Sequence, residues 1–167
     1  MLGLIVAIIA FNGIAFMRVK RLAKSHIVHI CTFTILIHVS VDLLLSVKYG
    51  AYWYFDREIQ WLDVPAVALL SPSAALLFLN GYPSQASRLK RMLYILLWSL
   101  IITVYEALTL LPEPWGFFHH GWWKLKYSAL VYPVLFCLIL LYYKWIRQIE
   151  EKENNKRFDH FSKESRK

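Results

Sequence analysis

The chain has 167 residues, of which 58% are hydrophobic and 16% aromatic, and its mean hydropathy is positive. A soluble domain of this length cannot hide so much apolar surface, because small domains keep a large fraction of their surface exposed. The net charge of +8 does not indicate nucleic acid as a partner, since the lysines and arginines lie in blocks between long apolar runs. The composition therefore predicts an integral membrane protein surrounded by the lipid bilayer.

Five apolar runs are predicted to form transmembrane helices, since about 20 apolar residues cross a bilayer core. They cover about residues 2–22, 27–47, 64–80, 92–110 and 127–146, and a charged tail follows over residues 148–167. The first run is expected to stay uncleaved, because its basic residues follow the apolar stretch, whereas a signal peptide carries them before it. Pro72 and Pro133 are expected to disturb the third and fifth helices. The predicted fold class is all-α, a membrane bundle of about five helices over residues 1–147.

The distribution of basic residues predicts how the helices are oriented. With the N-terminus outside, segments 18–26, 81–91 and 144–167 lie inside and hold fifteen of the nineteen lysines and arginines. The other four fall in the two outer loops and are Lys48, Arg57, Lys124 and Lys126. Because cytoplasmic segments carry an excess of basic residues, the sequence predicts an outside N-terminus and a cytoplasmic C-terminus.

The two outer loops are rich in aromatic residues, with six in residues 49–61 and five in residues 115–123. Tyrosine and tryptophan favour the headgroup level of a membrane, so loops lying along the membrane surface are the favoured interpretation. The alternative interpretation is a lid over a cavity that binds a lipid or a glycan. We expect residues 49–61 to lie along the interface.

Polar residues inside the apolar runs are the candidate functional residues, because ionisable groups are costly in a bilayer and usually face the interior of a bundle. In the second run such residues recur every four positions along one helical face, and they are Thr34, His38, Asp42 and Ser46. The fourth run carries Thr103 and Glu106. Asp42 and Glu106 both lie about 7 Å outward of the centre of their runs, at 1.5 Å per residue. The predicted polar cluster is therefore Thr34, His38, Asp42, Thr103 and Glu106.

Several interpretations of this cluster remain open. The two carboxylates could share a proton, or bind a cation with His38, His119 or His120 as further ligands. They could form ion pairs with lysines of an outer rim, whose predicted members are Lys48, Lys124, Lys126, His119 and His120. Each acid could instead accept a hydrogen bond from a hydroxyl group as a structural link between helices. The structural interpretations are favoured, and neither a metal ion nor a cofactor is predicted.

Short motifs follow one another in a fixed order between about residues 40 and 135. They are Asp42, Lys48-Tyr49, Tyr52, Phe55, Leu79-Asn80, Pro83, Trp98, Tyr105-Glu106, Gly121-Trp122, Lys124-Leu125, Tyr127-Ser128 and Tyr132-Pro133. This order resembles a group of small multi-pass membrane proteins of Bacillus- and Clostridium-type bacteria. Lys126 departs from the pattern, in which an aromatic residue is expected. The resemblance implies location in a bacterial plasma membrane and carries no assigned activity.

The sequence thus favours a non-enzymatic accessory subunit or small binding protein with an outward-facing polar pocket. The alternative is a small transporter or an intramembrane enzyme that uses His38, Asp42 and Glu106. The sequence contains no phosphate loop, metalloprotease motif or nucleophile elbow. Beside lipid, the expected partners are another membrane protein or a second copy of the chain.

Overall fold

The computed structural model describes residues 2–56, 61 and 63–164 and is mainly helical, as the composition predicts. By length and composition, three of its helices can cross a membrane, and they are Lys24–Lys48, Arg88–Thr109 and Leu125–Arg157. Two shorter apolar helices accompany them, Leu2–Arg18 and Ala66–Gly81. Large apolar side chains on these helices point outward, with Leu130 73% and Ile9 67% exposed. Such surfaces suit a lipid environment and would be costly in water.

Five helical segments make up most of the described chain. The first is Leu2–Arg18, and the second is Lys24–Asp42 with a π-helical continuation, Leu43–Lys48. The third consists of a short turn, Asp63–Pro65, a π-helical stretch, Ala66–Leu70, and the α-helix Ser71–Gly81. The fourth is Arg88–Thr109 and the fifth is Leu125–Glu164. The charged residues after 147 thus continue the fifth helix.

Local polar contacts set several of these boundaries. The fourth helix begins ahead of its apolar run because the Ser87 hydroxyl accepts a hydrogen bond from the Lys90 amide, 3.4 Å away, and caps the helix. Asn80 closes the turn between the first two helices, since its Oδ1 atom accepts from the Arg21 amide at 3.1 Å and its Nδ2 atom donates to the Arg18 carbonyl at 2.9 Å. The side chains of Ser87 and Asn80 therefore form hydrogen bonds with backbone groups that the helix ends leave unpaired.

The two intrahelical prolines have different surroundings. Pro72 is the second residue of the α-helix Ser71–Gly81, which follows the π-helical stretch Ala66–Leu70, and its missing N–H group cannot complete the usual hydrogen-bond ladder there. Pro133 lies inside the fifth helix, which continues on both sides of it. The regular ladder is therefore interrupted ahead of Pro72, close to the polar residues described below.

The helices pack in a fixed pattern. The third helix lies against the first and second, and the fifth lies against the second and fourth. At one end of the molecule the core is centred on Phe78, which is fully buried and has its ring centre 4.5 Å from that of Phe136. At the opposite end a smaller core of Leu4, Ala66 and Phe117 lies next to the loops. The polar residues described in the next subsection lie near this smaller core, where the helices meet the loops.

A two-stranded antiparallel sheet joins the two loops that were predicted to lie outside, a feature that the all-α prediction did not include. Strand β1 is Tyr52–Tyr54 and strand β2 is Phe118–His120, with Tyr52 opposite His120 and Tyr54 opposite Phe118. The chain enters β1 through Gly50, whose φ of 56° lies in the left-handed region that glycine adopts without strain. Residues 57–60 and 62 of the same loop, Arg57 among them, lie outside the described residues.

Candidate functional site

Side chains alternate across the sheet, so its two faces carry different chemistry. Tyr52, Tyr54 and His120 share the face that meets the helices. Trp53 and His119 share the other face, where their rings stack with centres 5.9 Å apart. The first face brings β1 to Asp42 and β2 to Glu106, and two hydrogen-bonded groups result.

The first group surrounds Asp42 on the second helix. The Tyr52 hydroxyl donates to Asp42 Oδ1 at 2.6 Å, and the Tyr54 hydroxyl donates to Asp42 Oδ2 at 3.3 Å. His38 Nε2 lies 3.0 Å from the Tyr54 hydroxyl and 3.6 Å from Asp42 Oδ2. Tyr54 therefore bridges the histidine and the acid that the four-residue spacing places on one helical face.

The chemistry of the two tyrosines fixes the direction of these hydrogen bonds. Burial, and then the nearby Asp42 carboxylate, raise the pKa of both Tyr52 and Tyr54 well above the usual value for a phenol. Both hydroxyls thus keep their protons at any physiological pH and act as donors. Asp42 consequently receives two hydrogen bonds that tie the loop carrying β1 to the second helix.

The second group surrounds Glu106, whose side chain is only 5% exposed. Ser128 donates to Glu106 Oε1 at 2.8 Å, His120 Nε2 lies 3.0 Å from the same oxygen, and the Tyr132 hydroxyl bonds to Oε2. Trp123 Nε1 donates to Ser128 Oγ at 2.8 Å. Because an indole N–H can only donate, the Ser128 oxygen accepts from Trp123 and turns its own proton toward Glu106. The carboxyl group thus links the fourth helix, the fifth helix and β2.

The two threonines of the predicted cluster have simpler roles. Thr34 is buried and its hydroxyl donates to the Ile30 carbonyl at 2.8 Å, within its own helix. The Thr103 hydroxyl likewise donates to the Ser99 carbonyl at 2.8 Å. Such back-bonding satisfies a hydroxyl in an apolar setting without involving a second helix. Thr34 still faces the cavity described below, whereas Thr103 is not among its lining residues.

The predicted outer rim divides into several parts. His120 joins the Glu106 group, whereas His119 lies on the opposite face of the sheet. The ammonium groups of Lys48 and Lys126 lie over the rings of their neighbours in sequence, 5.2 Å and 5.1 Å from the ring centres. Lys124 is exposed. Hydroxyl groups and histidines, rather than these lysines, thus form the contacts described above for the two acids.

A cavity of about 270 Å³ lies beneath the sheet and reaches all five helical segments. Most of its walls are apolar, with a smaller number of polar residues, a combination typical of small-molecule sites. The polar lining residues are Thr34, His38, Tyr52, Tyr54, Ser71, Tyr105, Glu106, Thr109, Ser128 and Tyr132. Glu106 borders the cavity directly, and Asp42 is connected to it through Tyr52, Tyr54 and His38.

Tyr105 differs from its polar neighbours in the cavity wall. Its hydroxyl oxygen is buried and has no hydrogen-bond partner within the described part of the chain. Nearly all buried polar atoms in proteins are hydrogen-bonded, so Tyr105 is an exception among the described residues. In the same part of the chain, no three His, Cys, Asp or Glu side chains lie close enough together to hold a metal ion.

Sequence reasoning missed five residues of the two hydrogen-bonded groups, which are Tyr52, Tyr54, Trp123, Ser128 and Tyr132. Ser128 and Tyr132 carried a usable signal, because two hydroxyl groups four residues apart in an apolar run share one helical face. The alternation of Tyr52 and Tyr54 around Trp53 was a weaker signal for a strand.

Comparison of the chain with protein-family models, with curated proteins and with solved structures finds no match.

Proposed function

We propose that this chain is a five-span plasma-membrane protein of a bacterium that binds a small molecule in the cavity beneath its outer loops. The bacterial location rests on the resemblance of residues 40–135. The binding role rests on one observation above all, the cavity of about 270 Å³ whose largely apolar wall includes the buried carboxyl group of Glu106. Groups that only fasten helices together would not need an empty volume beside them.

The lengths of the shorter helices are compatible with five spans. The first helix has 17 residues and a length of about 26 Å at 1.5 Å per residue, slightly below the roughly 30 Å of a bilayer core. Arg18 at its end can extend its long side chain to the headgroups and supply the remaining length. The third segment reaches a similar length when its π-helical stretch is included.

The orientation is tested by labelling single cysteines in intact cells. In a Cys31→Ala, Cys137→Ala background, we expect His119→Cys on the outer face of the sheet to react with a membrane-impermeant maleimide. Asn154→Cys in the exposed charged part of the fifth helix is expected to react only after lysis, because the basic residues there favour the cytoplasm. Labelling of Asn154→Cys in intact cells would show that the orientation is wrong.

The binding role predicts that filling the cavity abolishes binding. Ala74 borders the cavity, and Ala74→Leu places three more carbon atoms in that volume. Small aromatic probes are titrated against the purified protein in nanodiscs, with empty nanodiscs subtracted. We expect saturable binding to the unmodified chain and at least a tenfold weaker affinity for Ala74→Leu, because an occupied volume cannot admit a ligand.

The matched control is Ala10→Leu, which adds the same atoms at an exposed position of the first helix. Its affinity should equal that of the unmodified chain. Equal binding by all three proteins would place the probes elsewhere and would contradict the proposed role.

A small transporter is the second candidate, because two carboxylate–histidine pairs are found at one cavity. His120 Nε2 lies 3.0 Å from Glu106 Oε1, and His38 Nε2 lies 3.6 Å from Asp42 Oδ2. Such pairs can carry protons through a membrane protein. Proton flux that depends on a bound substrate in sealed proteoliposomes would favour the transporter, and binding without flux would favour the binding protein.

A further inference from the structure

Aromatic rings form a large part of the cavity wall. They come from both the sheet and the helices and belong to Phe11, Tyr52, Tyr54, Tyr105, Phe117, Phe118, Trp123, Tyr132 and Phe136. Several are arranged edge to face, as for Phe11 and Tyr105, whose ring centres are 5.3 Å apart. Aromatic faces carry partial negative charge and attract cations, most strongly where water is excluded.

The charged groups at the cavity also favour a cation as the ligand. Glu106 is an acid in the wall, Asp42 is an acid behind Tyr52 and Tyr54, and the described lining contains no lysine or arginine. Among the described contacts, His120 Nε2 lies 3.0 Å from Glu106 Oε1 and His38 Nε2 lies 3.6 Å from Asp42 Oδ2. A cation in the cavity can pair with the Glu106 carboxyl group, whereas an anion would find no lysine or arginine among the described lining residues.

We propose that the ligand of this cavity is an organic cation with an apolar body, of the quaternary ammonium or protonated amine class. The inference deepens the proposed binding role and rests on it. The apolar part of the ligand lies against aliphatic residues such as Ile102, Leu135 and Ile139, and the cationic part lies among the aromatic rings beside Glu106.

Three probes of similar shape test whether binding depends on the charge of the ligand or only on its shape. Phenyltrimethylammonium is the cation, tert-butylbenzene has the same shape without charge, and benzenesulfonate is the anion. Each isotope-labelled probe is equilibrated with the full-length chain in nanodiscs of zwitterionic phosphatidylcholine at pH 8, with empty nanodiscs subtracted. This lipid avoids attraction of the cation to the membrane surface.

We expect phenyltrimethylammonium to bind at least about tenfold more tightly than tert-butylbenzene, and benzenesulfonate to show no saturable binding. Glu106→Gln keeps the shape of the side chain and should remove most of the preference for the cation while leaving the affinity for tert-butylbenzene unchanged. Should Glu106→Gln fail to fold, Tyr105→Leu serves as the second variant, because it removes an aromatic face without removing any assigned hydrogen bond. It should weaken cation binding at least threefold and affect the neutral probe less.

The outcomes distinguish this inference from the role on which it rests. If tert-butylbenzene binds as tightly as the cation in an Ala74→Leu-sensitive manner, the cavity is a binding site but the inferred cation class is wrong. An unchanged cation preference in both Glu106→Gln and Tyr105→Leu would overturn the inference equally. If no probe binds saturably, the binding role fails and the cation class fails with it.

Discussion

Replacing Glu106 by leucine is expected to lower the free energy of unfolding by about 2–4 kcal/mol. Ser128, Tyr132 and His120 all bond to the Glu106 carboxyl group, so the substitution leaves three polar groups without that partner. Hydrogen bonds between helices in a membrane protein contribute about 0.6–2 kcal/mol each. The loss affects three elements at once, because the carboxyl group links the fourth helix to the fifth helix and to β2.

The effect is measured by unfolding the purified protein in mixed micelles with increasing SDS. Glu106→Gln should cost only about 1 kcal/mol, because the amide keeps one acceptor oxygen and the Tyr132 hydroxyl can reorient. The control is Glu113→Leu in the exposed loop, for which no comparable change is expected. If Glu106→Leu were as stable as Glu113→Leu, the hydrogen-bonded group around Glu106 would not hold these elements together.

Replacing Asp42 by leucine is expected to detach the first outer loop from the second helix and to cost about 1–3 kcal/mol. Two tyrosine hydroxyls lose their acceptor, and β1 loses its polar contacts with that helix. Asp42→Asn should be tolerated better, because the amide still accepts one of the two hydrogen bonds. Limited proteolysis between residues 49 and 56 should therefore accelerate in Asp42→Leu and change little in Asp42→Asn.

A double-mutant cycle assigns the Asp42 effect to a specific contact. Asp42→Leu and Tyr52→Phe are measured alone and together, and the interaction between them should reach about 1 kcal/mol, since the 2.6 Å bond is lost in each variant. The control pair is Phe33→Leu with Tyr52→Phe, whose effects should simply add, because the Phe33 ring stacks on Tyr142 away from the site. Additive effects of Asp42→Leu and Tyr52→Phe would show that this bond contributes nothing to stability.

The long helices were predictable because apolar runs of about 20 residues have few alternatives to a membrane helix. The boundaries of the helices were harder to predict. The fourth helix is an example, because the cap at Ser87 adds helical residues that hydropathy does not detect. The five-span topology and the orientation remain predictions, based on the lengths of the first and third helices and on the distribution of basic residues. The equal depth of Asp42 and Glu106 was predicted from the centres of their apolar runs. In the structure, residues of the small sheet contact both acids.

The small sheet could not be derived in the same way. Its strands have three residues each and lie far apart in the sequence, so their pairing depends on where the helices hold the loop ends. The aromatic content of both loops was evident, but it suited a surface belt as well as a lid. His120 illustrates the limit, because nothing in its local sequence distinguishes it from His119, whereas strand alternation turns one toward Glu106 and the other away.

The polar cluster was only partly predictable for a related reason. The spacing of Thr34, His38 and Asp42 identifies a helical face, but it does not identify what that face meets. The partners of both acids come from the outer loops and from the fifth helix, whose position is set by packing against the second and fourth helices. Hydroxyl groups are also inconspicuous in a sequence, because serine and tyrosine are common in membrane helices and at their ends.

The most direct test of the cavity as a binding site is photolabelling with a small aromatic diazirine, followed by mass spectrometry of the modified peptides. We expect labels on cavity-lining residues of different helices, such as Ile102 and Leu135, and their loss in Ala74→Leu but not in Ala10→Leu. Labels confined to outward-facing residues such as Leu130 and Leu141, with the same yield in both variants, would contradict a ligand-binding cavity.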